Sequence, residues 1–295
     1  MKTLVVGATG LVGFEVCRHL ADAGHSVRAL VRSTADPARR AALETLGVEL
    51  VEGDLKDPPS LDRACAGVQS VVSTASSTLS RQAGDSIGAV DEQGQLALVD
   101  AARGAGVAHF VFVSFRDNPR IRYPLTAAKR AVERRLRDSG MAFTILQSSY
   151  FMEVWLSPAL GFDWAAGQAK IYGEGTNAIS WVSYQDVARI AAACVDQPAA
   201  RDTVLEIGGP EALSPREVAR MFEAAGAGEI VLEYVPESAL EAQMTVAADP
   251  LQKTFAGLML QYAAGDEVDT TNAARLFPFQ MRSVRDFVTA QLTRT

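Results

Sequence analysis

Residues 1–13 read MKTLVVGATGLVG, and this stretch decides the fold. The apolar run at 4–6 leads directly into three glycines, Gly7, Gly10 and Gly13, and an apolar-periodic segment follows. A strand, a glycine turn and a helix in immediate succession are typical of a phosphate-binding turn at the start of a parallel α/β sheet. The sequence therefore predicts an anion site at the N-terminus of the first helix.

Each glycine is expected to do something different in this turn. Gly7 permits a tight turn, Gly10 lets the backbone approach a pyrophosphate without an intervening Cβ, and Gly13 lets the helix pack closely on the strand. The spacing is G-x-x-G-x-x-G rather than the G-x-G-x-x-G of dehydrogenases, so the prediction rests on the position between strand and helix. The alternative is a glycine-rich turn that holds no ligand.

Short apolar runs and helical stretches alternate as far as about residue 150. The runs predict strands, and segments of helical spacing, several of which end at a glycine, predict the helices between them. The strands are expected at 4–6, 27–31, 48–51, 70–73, 110–113 and 143–146, and the helices at 11–23, 39–46, 61–66, 95–105 and 127–139. We therefore expect an α/β protein with a Rossmann-type doubly wound parallel sheet, whose ligand crevice opens at the carboxyl ends of the strands.

Composition and charge narrow the classes of partner. The 295 residues carry a formal net charge of −7, which repels phosphate backbones and disfavours nucleic acid. The three cysteines and three histidines lie too far apart to predict a zinc site. The best apolar run, 255–264, is shorter than the roughly 20 residues that a membrane helix needs. With no signal-peptide pattern at the N-terminus, we expect a cytoplasmic protein without a membrane partner, either monomer or homodimer.

The tip of the second predicted strand carries Arg32 where NAD-binding proteins place a carboxylate. A guanidinium at this position pairs with the 2′-phosphate of NADP(H), so we expect NADP as cofactor, with NADPH preferred over NADH. The alternative is a solvated surface arginine. Asp54 and Leu55, after the third strand, are expected to flank the adenine, although Asp54 is also an ordinary helix-start residue.

Several stretches along the chain carry a family resemblance. They are residues 6–10, 54–55, 90–95, 99–102, 110–114 and 144–146, together with Lys129 and Glu133. This set resembles the NmrA-like branch of the atypical short-chain dehydrogenase/reductases, densely to about residue 155 and thinly beyond. The family includes quinone, triphenylmethane dye and isoflavone-type reductases and redox-sensing regulators. The resemblance therefore implies the fold and NAD(P)H binding better than it implies one reaction.

The catalytic candidates depart from the pattern of the wider superfamily. That pattern has a tyrosine acid four residues before a lysine on the fifth helix, one turn apart. Here the lysine is Lys129, Leu125 stands four residues before it, and Tyr123 lies six before it. Lys129 and Tyr123 remain the candidates, but the tyrosine acid is expected to be missing. Lys129 is expected to bind the nicotinamide ribose or to polarise an acceptor oxygen; the alternative is a solvated lysine on a basic helix face paired with Glu133.

Topology and the resemblance place the remaining candidates around the cofactor. Residues 74–76 follow the fourth strand beside the central ribose, and Ser114 ends the fifth near the nicotinamide. Gln147 and Ser148 stand where relatives usually carry arginine and proline. The residues expected to bind the cofactor are Gly7, Thr9, Gly10, Leu11, Val12, Gly13, Arg32, Asp54, Leu55, Thr74, Ala75, Ser76, Ser114, Lys129, Tyr150 and Phe151.

The second half of the chain has a looser pattern and no linker at its start. We expect an NAD(P)-binding Rossmann domain at 1–153 and a smaller C-terminal α+β substrate lobe at 154–295, packed on the first and interleaved with it in sequence. Residues 214–217, Ser-Pro-Arg-Glu, predict a helix that starts with a capping box at Ser214. Tyr150, Phe151 and nearby tryptophans are expected to line an apolar planar pocket, with core packing as the alternative.

One further pattern resembles a hydrolase motif. Residues 84–88 read Gly-Asp-Ser-Ile-Gly and match the G-x-S-x-G pattern of a nucleophile elbow. Residues 77–83 before it are polar rather than strand-like, and no histidine follows His109 to act as a base. We therefore expect a loop and a helix start, capped by Asp85 or Ser86, or a lid over the cofactor.

These observations predict an NADP(H)-dependent oxidoreductase that passes hydride from nicotinamide to a flat conjugated small molecule, such as a quinone, dye or enone. A delocalised acceptor needs little help from an acid, which fits the missing tyrosine. The alternative is an NADP(H)-binding redox-sensing regulatory protein with little or no turnover. Isomerase or epimerase chemistry with a retained cofactor is a weaker third hypothesis.

Overall fold

A computed structural model of the chain describes residues 1–79 and 82–293. Within these residues the strands form a seven-stranded sheet and a three-stranded sheet. The strands are β1 (Lys2–Val6), β2 (Ser26–Val31), β3 (Glu49–Glu52), β4 (Ser70–Ser73), β5 (His109–Phe115), β6 (Ala142–Ser148), β7 (Phe162–Asp163), β8 (Gln168–Tyr172), β9 (Thr203–Ile207) and β10 (Val231–Val235).

Helices connect these strands and make up much of the second half of the chain. The α-helices are α1 (Leu11–Asp22), α2 (Pro37–Thr45), α3 (Pro58–Cys65), α4 (Gln95–Gly104), α5 (Pro124–Arg137), α6 (Met152–Trp155), α7 (Tyr184–Ala193), α8 (Pro215–Phe222), α9 (Glu237–Val246), α10 (Pro250–Ala264), α11 (Thr271–Leu276) and α12 (Val284–Leu292). A π-helix, Ile87–Gly94, runs directly into α4.

The large sheet has the order β3-β2-β1-β4-β5-β6-β9. Pairing is parallel between β1 and β2, β2 and β3, β1 and β4, and β4 and β5. The six predicted strands are β1 to β6 and the five predicted helices are α1 to α5, so the prediction of a Rossmann-type doubly wound sheet is confirmed. The sequence did not predict β9, because Thr203 and Glu206 interrupt its apolar run.

Helices cover both faces of this sheet. Leu4 and Val6 of β1 belong to a buried cluster that includes side chains of α3, α4 and α5. Val5 is fully buried and points to the opposite face, because side chains alternate along a strand. On that face α1 packs against β1 and β2 with Val16 and Leu20 buried. Burial on both faces explains why these strands are continuous apolar runs.

The chain divides into two compact units. The first comprises Met1–Phe115, Pro124–Gln147 and Val187–Leu205, and the second comprises Arg116–Tyr123, Ser148–Asp186 and Glu206–Thr295. The units therefore interleave in sequence. The predicted domains at 1–153 and 154–295 stay a prediction.

The second unit contains the mixed sheet β10-β8-β7 and an aromatic cluster. Five rings contact one another edge-on or stacked, with centroids no more than 6.4 Å apart; they belong to Tyr150, Trp155, Tyr172, Trp181 and Tyr262. Tyr150 and Trp181 are completely buried, which favours core packing for these two rings.

The remaining fold observations concern the predicted capping box, membrane-spanning helices and metal-binding clusters. The capping box at Ser214 is confirmed, since its hydroxyl accepts from the amide of Glu217 at the start of α8. No helix in residues 1–79 and 82–293 has both the length and the apolar character of a membrane span. The same residues contain no group of three or more His, Cys, Asp or Glu side chains arranged to bind a metal ion.

Candidate functional site

The glycine turn lies between β1 and α1 in the first unit, and two of its glycines are needed for packing. Gly7 has φ of +88°, and a Cβ there would lie 2.7 Å from Thr74 Oγ1 and 2.8 Å from the amide nitrogen of Ala75. A Cβ at Gly13 would lie 2.2 Å from the carbonyl oxygen of Gly7. Both positions exclude any side chain, because Gly7 is pressed against the residues that follow β4 and Gly13 is pressed against Gly7.

Gly10 has a different environment. Its φ of −81° and ψ of 176° suit any residue, and a Cβ would meet only the carbonyl oxygen of Gly7, at 3.2 Å. It is the N-cap of α1, and no side chain caps this helix. Leu11, the first helical residue, is 39% exposed. The first amides of α1 therefore have no side-chain cap, and an uncapped, positive helix end fits the diphosphate of a dinucleotide.

The carboxyl end of β4 is fixed beside this turn. Thr74 donates from its amide to the carbonyl of Val6 over 2.9 Å. Ser73 Oγ donates to Gln95 Oε1 over 2.8 Å, and Gln95 Nε2 donates to the carbonyl of Ala75 over 3.0 Å. The buried amide of Gln95 thus holds the backbone at residues 73–75, where the sequence predicts a ribose contact.

Asp91 holds the next residues. Its Oδ2 accepts from the amide of Ser77 over 3.0 Å and from the hydroxyl of Ser77 over 2.6 Å, and the carboxylate is fully buried. The sequence did not single out Asp91 and Gln95 as positioning residues. The available signal was a carboxylate and an amide four residues apart, which places them on one helix face, in a stretch that also contains Glu92 and Gln93.

Arg32, which the sequence predicts to bind the 2′-phosphate, follows β2 directly, and its partly exposed side chain forms an ion pair. Its Nη1 lies 2.7 Å from Asp85 Oδ2, and Lys56 Nζ contacts Asp85 Oδ1. Asp54 Oδ2 lies 3.8 Å from Lys56 Nζ. The structure therefore brings the predicted Arg32 and Asp54 together with Lys56 and Asp85, which the sequence did not predict as ligand-binding residues.

The Asp85 carboxylate is nearly inaccessible to solvent, with its side chain 1% exposed. Burial raises the pKa of Asp85, but hydrogen bonds from Lys56, the amide of Gln82 and Arg32 outweigh it and hold the pKa below its ordinary value. The carboxylate is therefore charged near neutral pH. Leu55 is 7% exposed and packs against Gly94, where a Cβ would lie 2.8 Å from that of Leu55.

Lys129 is buried, so the alternative of a solvated lysine is wrong. It is 5% exposed, its Nζ donates to the carbonyl of Val113 over 3.2 Å, and it lies 4.7 Å from the ring centre of Phe112. Burial lowers the pKa of Lys129, the carboxylates of Asp91 and Glu133 oppose this shift, and a nearby arginine reinforces it. Lys129 is thus a fixed group with a perturbed pKa inside the first unit.

Glu133 is also buried, which corrects the expectation that it pairs with the basic helix in solvent. Its side chain is 1% exposed and lies 2.5 Å from Arg130. Ser114 Oγ donates to it over 2.7 Å, and Gln147 Nε2 contacts both carboxylate oxygens at 3.1 Å. The departure of Gln147 from the pattern of relatives therefore provides a partner for Glu133.

The remaining candidates lie in the second unit. Tyr123 donates from its hydroxyl to Gln261 Oε1 over 2.9 Å, and its ring fills the space beside Gly257. Tyr150 donates to the carbonyl of Leu258 over 2.9 Å, and burial raises its pKa well above the ordinary value. The backbone of Phe151 forms an isolated parallel β-bridge with Val182. The catalytic role of Tyr123 and the cofactor contacts of Tyr150 and Phe151 stay predictions.

The G-x-S-x-G stretch is a helix start, as expected. Ser86 is the N-cap of the π-helix, and its Oγ accepts from the amide of Ala89 over 3.0 Å. Asp85 pairs with Arg32 and Lys56 instead of capping that helix. Since a nucleophile elbow needs a preceding strand, the position of this serine fits a cap and not a catalytic nucleophile.

The fold and the open glycine turn define a Rossmann-type protein. The chain belongs to the NmrA-like family, whose sequence model matches residues 1–288. A curated relative is the NAD(P)H azoreductase of Xenophilus azovorans, 31% identical over 257 residues that cover 87% of this chain and 84% of the relative. The photosystem II assembly factor Ycf39 of Synechocystis is 30% identical over 251 residues, covering 81% of this chain and 72% of the relative.

Solved structures share the fold over nearly the whole chain. The Escherichia coli NADPH-dependent quinone oxidoreductase in complex with NADPH superposes with a TM-score of 0.79 at 21% identity, covering 98% of this chain and 99% of that one. This likeness extends through the second half, where the sequence pattern is weak.

Proposed function

We propose that this protein is an NADPH-dependent reductase that transfers hydride to a flat conjugated small molecule, such as a quinone, a dye or an enone. The observation that carries this proposal is the uncapped N-terminus of α1 at Gly10, with Arg32 at the tip of the neighbouring strand. A relative named as an azoreductase, and a quinone oxidoreductase with the same fold, support the class of acceptor.

The roles of the residues follow from their positions. The first amides of α1 bind the diphosphate, since a helix N-terminus attracts anions. Arg32 binds the 2′-phosphate as a planar, permanently charged donor. Residues 74–76, held by Gln95, contact the central ribose. When bound, the reduced nicotinamide supplies the hydride.

Lys129 is assigned to the nicotinamide ribose or to an acceptor oxygen. Its ammonium is fixed by the carbonyl of Val113 and lies over the ring of Phe112, so its position is defined before any ligand arrives. A quinone or azo acceptor spreads the incoming charge over a conjugated system, so orientation and exclusion of water supply most of the catalysis. Such a reaction does not require the missing tyrosine acid.

The test of cofactor binding is the substitution Arg32→Ala. The variant should bind NADPH more weakly by about 1–3 kcal/mol, the range for a lost hydrogen bond to a charged group, while NADH binding changes much less. Fluorescence titration with both nucleotides measures this difference. Arg63→Ala removes the same charge from an exposed position on α3 and serves as control. Equal losses for NADPH and NADH would remove Arg32 from the phosphate site.

Turnover separates the reductase from the alternative of a redox-sensing regulator. The relative named as a photosystem II assembly factor supports the regulator alternative, because its name describes no reaction. A reductase consumes NADPH, seen as loss of nicotinamide absorbance, when quinones, azo dyes or enones are added. A regulator binds NADPH and consumes none across the same panel.

A further inference from the structure

We propose that Asp85 determines how strongly this site selects the 2′-phosphate, because its carboxylate is an internal competitor for the two cations, Arg32 and Lys56, that the phosphate uses. The inference rests on the proposed binding of NADPH at Arg32 and adds two residues to it. Lys56 becomes a second phosphate ligand, and Asp85 becomes the group that the phosphate replaces.

The geometry around Asp85 is that of an occupied anion site. Arg32 Nη1 approaches Oδ2 at 2.7 Å, Lys56 Nζ contacts Oδ1, and the amide of Gln82 donates to Oδ2 over 2.9 Å. A guanidinium, an ammonium and a backbone amide around one buried anion are the donors that also bind phosphate.

The segment that carries Asp85 is attached to the tips of β2 and β3. The side chains of Thr34 and Gln82 are hydrogen-bonded to each other, and Gln82 Nε2 donates to the carbonyl of Thr34 over 3.4 Å. Lys56 Nζ also donates to the carbonyl of Ala83 over 3.3 Å. Residues 82–85 are therefore bound to the residues that follow β2 and β3, and Asp85 contributes its two ion pairs to this attachment.

Charge explains why the 2′-phosphate and Asp85 exclude each other. The cluster holds two cations, Arg32 and Lys56, and two carboxylates, Asp85 and the more distant Asp54. A phosphate monoester adds a charge of about −1.5 to −2 near neutral pH. Two anions on the same pair of cations repel each other, and the Asp85 carboxylate, whose side chain is 1% exposed, is strongly unfavourable in its place without its partners. Asp85 must leave when the phosphate binds.

NADH lacks this phosphate and leaves the ion pairs of Asp85 with Arg32 and Lys56 intact. The energy of breaking the Asp85 contacts is therefore subtracted from the binding of NADPH and not from that of NADH. The native chain thus selects NADPH less strongly than its two cations alone would. The measurable quantity is the selectivity ratio, Kd for NADH divided by Kd for NADPH.

The first test is Asp85→Asn. Removing the charge while keeping the shape should raise the selectivity ratio about tenfold, mainly through tighter NADPH binding. The matched control is Asp62→Asn, which makes the same change of charge at an exposed site on α3 and should leave the ratio within about twofold of wild type. A ratio for Asp85→Asn that stays within the control range, or that falls, overturns the inference.

The second test is Lys56→Gln, which should lower the selectivity ratio about tenfold because one phosphate ligand is lost. An unchanged ratio would exclude Lys56 and overturn the two-cation site. Titration of each variant with 2′,5′-ADP and with 5′-AMP repeats the comparison on the adenosine end alone. Should the Asp85→Asn variant lose its fold, Asp85→Ser is titrated with the same nucleotides and fragments, and an unchanged selectivity ratio in that variant overturns the inference.

Different experimental results would contradict this inference and the proposed function. Wild-type protein that binds neither NADPH nor NADH contradicts the proposed function. Wild-type protein that binds NADPH but reduces no acceptor contradicts the reductase assignment and leaves the Asp85 inference standing. If wild type binds NADPH normally but the selectivity ratio is unchanged by substitution of Asp85 and of Lys56, the inference is contradicted and the proposed function is not.

Discussion

Gly7, Gly10 and Gly13 differ in what surrounds each missing Cβ. At Gly7 and Gly13 a side chain would collide with backbone atoms of the protein itself, whereas at Gly10 it would project from an uncapped helix start. Close packing therefore excludes a side chain at two of the glycines, and at Gly10 we propose that the missing side chain leaves space for the diphosphate. The sequence predicts both the three positions and a separate role for each; the structure shows the positive φ at Gly7 and the close packing at Gly13, and the role of Gly10 stays a prediction.

The substitution Gly10→Ala tests this difference. Alanine fits the backbone angles, but it is a poorer N-cap than glycine and its Cβ would lie 3.2 Å from the carbonyl oxygen of Gly7, so the free energy of unfolding should fall by about 1–2 kcal/mol. Binding of NADPH should weaken at least about tenfold, because the methyl group lies where the diphosphate approaches. Thermal unfolding and nucleotide titration measure the two effects. Unchanged NADPH affinity would place the diphosphate elsewhere.

Gly13→Ala is the comparison for folding. Its methyl group would lie 2.2 Å from the carbonyl oxygen of Gly7, so β1 and α1 must separate. We expect a loss of about 3 kcal/mol in the free energy of unfolding, the upper end of the usual range for overpacking. A stable Gly13→Ala variant would contradict the close contact between helix and strand.

At the scale of elements, the π-helix Ile87–Gly94 and the start of α4 position the carboxyl end of β4. Asp91 holds Ser77, and Gln95 joins Ser73 to Ala75. π-Helical turns are rare in proteins overall, but those that occur are often found at functional sites. This arrangement places two buried polar side chains of one helical segment behind the loop that is predicted to contact the ribose.

Gln95→Met tests this support. The apolar side chain keeps the approximate shape but leaves the Ser73 hydroxyl and the Ala75 carbonyl without their partner, so we expect a loss of roughly 1–3 kcal/mol in stability. NADPH affinity should also fall, because residues 73–75 are no longer fixed. Gln243→Met, at an exposed position on α9, is the control. Identical denaturation midpoints for Gln95→Met and wild type would show that the amide bridge contributes nothing.

The element boundaries show what local sequence predicts. β4 occupies 70–73, as expected, because both of its faces are buried and the run is uniformly apolar or small. α5 begins at Pro124 instead of 127, because proline is favoured in the first turn of a helix. β9 has mixed polarity, and only its neighbour β6 in the sheet makes it a strand.

At the scale of the whole molecule, His109 joins three distant segments of the first unit. Its Nε2 lies 2.8 Å from Thr144 Oγ1, which itself donates to the carbonyl of Ala200 over 2.7 Å. Thr144 therefore accepts from a neutral His109 that is protonated on Nε2. Burial, reinforced by Arg201 and opposed by Asp202, lowers the pKa of His109 to about 4.

This shift makes the stability of the first unit depend on pH. The unfolded chain binds a proton at His109 near the ordinary pKa of 6.5, and the folded chain does so only near 4. Between these values the unfolded state holds more protons, so the free energy of unfolding decreases as the pH falls.

The substitution His109→Gln removes this titration while retaining a donor for Thr144. Between about pH 7 and pH 5, wild type should lose about 2 kcal/mol more stability than the variant. Urea denaturation at the two pH values measures the difference. Parallel losses in both proteins would show that His109 is not responsible for the acid sensitivity.

The sequence by itself determined the glycine turn, the alternation of strands and helices and the position of Arg32. These are local properties, since apolar periodicity and the space allowed by glycine act over a few neighbouring residues. Only the tertiary structure decided that Arg32 shares a buried carboxylate with Lys56, because Asp85 lies 53 and 29 residues away from them in the chain. Arg32 and Lys56 come together because β2 and β3 are parallel neighbours that end at the same edge of the sheet, and the segment that carries Asp85 reaches them only in the folded chain.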